Sequence, residues 1–308
     1  MPGYDSDDCE YDACSSRSLH LRVPPSAAYP STSSPRASKA SKPRQLYNMA
    51  IMSSPCESMQ KRYRALYEHA TTEARFLSDL AAGRVSDKCF TKWLSEDFHF
   101  VMSELRFLGK TLALVPIHEK WNDRDYKDAQ RMAQGLSEMI HVTSTKELAL
   151  FKTILAQDDF PPKHRSTIHG TSYTSYLISL PTFTQCLTAL WALEKVYLEA
   201  WKYIAKTMLA NLKVESPDVL KHCVAHWTSD MNVENVYFLE EGVNKWMTKV
   251  GEEEKEACQL VFERVLEVSF VMFLGSCRSD ARRPSSSKLR FGISDTKLVR
   301  NEGFAVDG

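Results

Sequence analysis

Phe90-Thr91-Lys92-Trp93-Leu94-Ser95-Glu96-Asp97-Phe98-His99-Phe100-Val101 contains neither Gly nor Pro and repeats large apolar side chains at spacings of three and four. Phe90, Trp93, Leu94, Phe98 and Val101 therefore share one stripe of an α-helix. Asp97 follows Trp93 by one turn and precedes Phe100 and Val101 by one turn. A carboxylate held among aromatic and aliphatic neighbours is costly to bury without a partner. A ring carrying an amino group or a positive charge would be such a partner.

The same helical period continues in both directions. Ser58 to Ala82 reads as one helix ended by Gly83, and Ser86 is the expected N-cap of the helix that holds the opening stretch, running to Val115 before Pro116. Further helices are expected over about 123–140, and from a capping box at Ser144 and Glu147 to about Asp158, before Pro161-Pro162. Others follow over about 173–180, 182–212, 217–226, 233–250 and 252–275. No alternating strand pattern, hairpin turn, internal repeat or glycine-rich phosphate loop is present. The expected fold class is all-α, a multi-helical bundle.

Composition sets the domain limits. Residues 1–56 are rich in Ser, Pro and Ala with little apolar period and read as a disordered arm; 278–308 read as a flexible tail. Residues 57–277 form the expected single helical domain. The 308-residue chain has equal Lys+Arg and Asp+Glu, 39 of each, so no strong basic field draws nucleic acid. No apolar run is long enough to span a membrane. The eight Cys show no paired metal spacing, which suggests reduced thiols in a cytoplasmic protein.

Three separated helices each offer a carboxylate beside aromatic side chains. Asp97 is the first. Glu194 shares a face with Tyr197 and Trp201, and Glu267 lies one turn from Phe270. In a bundle these acids can converge on one pocket as an acid and base tuned by burial. Each also has an ion-pair reading, Glu267 with Arg264 and Glu194 with Lys195 or solvent. Glu96-x-x-His99 has the spacing of two metal ligands on one helix face, but no second such pair accompanies it.

The stretch from Gly83 to Val101 resembles the opening signature of the TenA (thiaminase II) family, a Gly-containing turn followed by Phe-x-x-Trp/Tyr-Leu-x-Gln-Asp-Tyr-x-Tyr/Phe. Tyr173-Thr-Ser-Tyr176-Leu177, Leu190 to Tyr197, and Glu267-Val-Ser-Phe270 resemble the family's later motifs in the same order. The resemblance implies the haem-oxygenase-like bundle, a homo-oligomer, and hydrolysis of aminopyrimidine breakdown products in thiamin salvage without metal or organic cofactor. It implies that Asp97 binds the aminopyrimidine edge, that Phe100, Tyr173 and Tyr197 stack on or line the ring, and that Glu267 is a general acid/base.

Three positions depart from the family pattern: Leu193 stands where many members have a nucleophilic Cys, Glu96 replaces Gln, and Val271 replaces Trp. Leu cannot be a nucleophile. Trp191-Ala-Leu-Glu194 instead resembles a Cys-less eukaryotic branch that hydrolyses free or formylated aminomethylpyrimidine, which makes Glu194 the second catalytic candidate, paired with Glu267. Two alternatives accompany this expectation: a catalytically silent binding relative on the same fold, and a metal oxidase built on Glu96 and His99.

Overall fold

A computed structural model describes residues 53–117, 123–155, 166–210 and 217–275, with side chains up to Ser269 in the last helix. The expected disordered arm 1–56 and tail 278–308 lie outside these residues, except for 53–56, where the first helix begins. All regular structure among the described residues is helical.

The chain enters through α1 (Pro55–Arg62). Ser54 accepts the Glu57 amide while the Glu57 side chain accepts the Ser54 amide, and Pro55 occupies the first turn, where it sacrifices no hydrogen bond. The single helix expected over 58–82 is instead broken into α1, α2 (Arg64–Glu68), a wide π turn (His69–Glu73) and α3 (Arg75–Ala81). The breaks are local: Tyr63 leaves helical geometry at φ −105°, ψ 28°, and Ala74 is extended at φ −60°, ψ 120°. Both segments still point apolar residues inward, so the period in the sequence survives the breaks.

α3 ends in a Schellman motif. Gly83 adopts φ 66°, its amide donates to the Leu80 carbonyl at 3.1 Å, and the Arg84 amide donates to Asp79 at 2.8 Å. A β-carbon at that φ is strained, so Gly83→Ala is expected to cost about 1 kcal/mol in a denaturant titration. An unchanged midpoint would contradict this account of the turn.

Ser86 caps α4 (Asp87–Ala113), the long helix carrying the opening stretch, by accepting the Cys89 amide. α5 (Asp123–Val142) passes through a second π turn, Thr143–Glu147, directly into α6 (Leu148–Leu155). The capping box expected at Ser144 does not form. The Ser144 hydroxyl donates back to the His141 carbonyl at 3.0 Å, so the chain stays helical and Glu147 is released for another partner.

α7 (Ile168–Ser179) starts earlier than expected. Thr167 caps it, and Glu96 of α4 accepts the Thr167 amide with both oxygens, at 3.2 and 3.0 Å. Then follow α8 (Phe183–Ala210), α9 (Asp218–Trp227), α10 (Asp230–Trp246, extended by a short 3-10 turn) and α11 (Glu252–Gly275). α8 is buried along most of its length and packs against α10, α11, α3 and the first π turn, while α4 packs on α5, α6 and α7. Between them sits an aromatic core. Trp201 stacks on Trp227 at 4.5 Å, and Trp93 meets Trp201 edge-on at 5.9 Å.

Cys56, Cys186, Cys223 and Cys258 are buried free thiols. No helix among the described residues is long and apolar enough to cross a membrane.

Candidate functional site

α4, α5, α8, α9 and α10 line an open cavity whose space, with the solvent at its mouth, is about 670 Å³. Its walls come from particular turns of each helix. Phe100 and Glu104 lie one turn apart on α4, and Leu193, Glu194 and Tyr197 on α8. The π turn supplies Thr143 and Glu147, and α9 ends against the cavity with His226 and Trp227. Wide turns of this kind often occur at functional sites, where they re-aim side chains.

One end is aromatic. Phe100 lies nearly parallel to Tyr197, with centroids 6.5 Å apart and 15° between planes, and stacks on Tyr173 of α7 at 5.9 Å and 11°. Behind these rings Asp97 is only 1% exposed. The Tyr197 hydroxyl donates to Asp97 Oδ1, while Oδ2 is buried without a partner. Burial pushes the Asp97 carboxyl up to about 7, against the downward pull of the Tyr197 hydrogen bond.

The other end is acidic. Glu104, 6% exposed, reaches Glu194 across the cavity. Burial first, and then the charge of Glu194, hold the Glu104 carboxyl well above the usual range. Glu194 is also raised by burial, but less completely, because it accepts a hydrogen bond from Glu104. The two carboxyls therefore titrate as a pair that shares one proton. Glu147 accepts the Trp227 indole N–H at 3.0 Å, and burial pushes it up to about 8 against that bond.

The structure thus brings together Asp97, Phe100, Tyr197 and Glu194, with Tyr173 stacked behind Phe100. It does not bring Glu267 to them. The Glu267 side chain is 47% exposed on α11 and pairs with Arg264 at 2.8 Å, the ion-pair alternative open from the sequence. The physical reason is helix phase: Val265 and Leu266 take the buried face, which leaves Glu267 facing solvent. The Phe270 side chain lies outside the described residues. Leu193 lines the cavity at 3% exposure, and Cys186, two turns earlier, is buried with its thiol donating to the Leu180 carbonyl at 3.7 Å. Glu96, paired with His99 in the metal reading, is committed to capping α7.

Sequence reasoning missed Glu104 and Glu147. Glu104 carried a signal: it follows Asp97 by seven residues and Val101 by three, on the same helical face. Glu147 carried none, because a capping-box role explained it fully.

The chain matches no protein-family profile. It is 22% identical over 212 residues to a probable bifunctional TENA-E protein of Glycine max, covering 68% of this chain and 88% of that one. Among solved structures it is similar to a TenA homologue from Pyrococcus furiosus, with 27% identity, a TM-score of 0.61, and coverage of 71% of this chain and 98% of that one. A domain with a haem-oxygenase-like fold from Shewanella denitrificans aligns over 73% of this chain and 92% of its own, at 12% identity and a TM-score of 0.52. Over its helical core the chain is therefore similar to TenA proteins, and it has the haem-oxygenase-like fold.

Proposed function

We propose that the protein hydrolyses aminopyrimidines of thiamin salvage, either aminomethyl- or formylaminomethylpyrimidine, through carboxylates and without a covalent nucleophile. The observation that carries this reading is the Glu104–Glu194 pair, poised over the cavity beside Leu193. A protonated and an ionisable carboxyl in one partly buried site are an acid and a base. The near-parallel Phe100 and Tyr197 rings suit a flat heterocycle, and the unpartnered Asp97 Oδ2 suits the amino group on its edge.

In this mechanism Glu194 takes a proton from water as the oxygen attacks; Glu104 gives its proton to the departing nitrogen of the formamide, whereas an aminomethyl nitrogen that arrives as an ammonium needs none. With the free amine, a carbon–oxygen bond replaces the carbon–nitrogen bond, and the alcohol and ammonia leave. With the formamide, water adds to the formyl carbon, and the amine and formate leave. With the formamide the shared proton crosses the pair and passes back before the next cycle; with the ammonium, the proton that Glu194 takes from water is released to solvent as ammonia leaves. Glu267, exposed and paired with Arg264, takes no part.

The test is turnover of both pyrimidines by the full chain, with thiamin as control. Hydrolysis of either pyrimidine without thiamin cleavage is expected, and Glu267→Gln should stay within about twofold of wild type, because an exposed ion pair contributes little. Loss of turnover in that variant would return the acid/base role to Glu267. No turnover by a folded protein would favour a silent binding relative.

A further inference from the structure

We propose that Glu147 is the ammonium-recognising residue of this cavity and selects the free aminomethyl substrate over its neutral formylated form. This rests on the aminopyrimidine reading above, but it concerns a carboxylate that the hydrolytic step does not use.

The other acids of the cavity are committed. Asp97 is tied to the Tyr197 hydroxyl, and Glu104 and Glu194 share a proton with each other. Glu147 accepts the neutral Trp227 indole N–H on Oε1, at 3.0 Å, and its side chain is half-buried on the cavity wall, where a ligand can reach it. The Trp227 ring also lines the cavity, so a cation beside Glu147 has an aromatic face next to it. A primary ammonium supplies three N–H donors and the positive charge this corner lacks. A formamide supplies one N–H and no charge.

Among the described residues no Lys or Arg lines the cavity. The titratable groups that face Glu147 are Asp97 and Glu104 from α4, Glu194 and Tyr197 from α8, and His226 from α9; Lys146, beside it on the π turn, is exposed. Burial lowers His226, so it stays neutral and adds no competing charge. Burial also pushes Glu147 up to about 8, so the empty site keeps it largely protonated at pH 7. An arriving ammonium favours the ionised form, and one proton leaves as the ligand binds. Amine affinity therefore rises as pH climbs toward about 8, while a neutral ligand shows no such trend.

Glu147→Gln tests this while keeping an acceptor for Trp227. In the full chain, kcat/KM for the aminomethylpyrimidine should fall about thirtyfold, with the formylated compound changed by less than about threefold. Calorimetry in buffers of different ionisation enthalpy should show proton release on binding the aminomethyl compound, none on binding the hydroxymethyl compound, and loss of the release in the variant. Glu147→Asp, which keeps the charge, should recover most of the preference. Equal losses for both substrates, or an unchanged amine preference, would overturn the assignment. The binding arm needs no turnover. If wild type hydrolyses nothing yet releases a proton with the amine only, the enzyme reading fails and the ammonium site stands. If it hydrolyses both compounds with no Glu147-dependent preference, the reverse holds.

Discussion

Glu194→Gln lowers kcat by about a thousandfold and leaves KM and helical content close to wild type. A positioned general acid or base contributes about 10²–10⁴ to rate, and Gln keeps the shape and the acceptor oxygen but cannot take a proton. The glutamine carbonyl can still accept from Glu104, so the packing of α4 against α8 survives. The pH profile separates this from a structural effect. Glu104 is held up first by burial and then by the Glu194 charge. Removing that charge lowers the pKa of Glu104, the general acid, and so moves the alkaline limb of the residual activity to lower pH. A variant with kcat within tenfold of wild type, or with a fall in kcat and no shift of that limb, would show that the pair is not the catalytic machinery.

The fold was legible in the sequence because one signal repeated without conflict. Apolar residues at helical spacing, few Gly or Pro inside the segments, and Ser86 and Gly83 at the ends all pointed to the same helices. The breaks at Tyr63 and Ala74 were not legible. No Gly or Pro marks them, and tertiary packing of α3 under α8 decides them. The site was half legible. Asp97, Phe100 and Tyr197 follow from faces of single helices, since residues three or four apart must share a face. Which carboxylate meets Asp97 from another helix depends on the rotation of that helix. Glu194 and Glu267 looked alike in sequence, each beside an aromatic and each with a basic neighbour. Only packing shows that α8 turns Glu194 inward, while α11 leaves Glu267 with Arg264.

Asp97→Asn raises KM about a hundredfold, yet makes the empty protein more stable at pH 8. Oδ1 of Asn still accepts from Tyr197, but an amide N–H₂ replaces Oδ2 and meets the amino group of the ring donor to donor, which loses a hydrogen bond to a charged group. Stability moves the other way for a reason fixed by sign. The native carboxyl is pushed up to about 7 from 3.8 by burial, so the folded protein holds a proton that the unfolded chain gives up. That contribution is full below about pH 4 and is lost as pH rises through about 7. A shift of this size amounts to roughly 4 kcal/mol at most, and a new buried amide donor without a partner returns about 1–3 of it. The variant should therefore be more stable than wild type by about 1–3 kcal/mol at pH 8, by the difference of those two terms, and no more stable at pH 5. Denaturant midpoints at the two pH values decide the matter. A variant weaker at both, or one with the wild-type slope between them, would mean that Asp97 is not the strained acid described here. The ligand completes the argument: it supplies the partner that Oδ2 lacks, so saturating aminopyrimidine should stabilise wild type at pH 8 far more than the variant. If the ligand stabilises wild type in this way, the burial cost of Asp97 is the stability–function conflict expected of a binding residue rather than of a packing one.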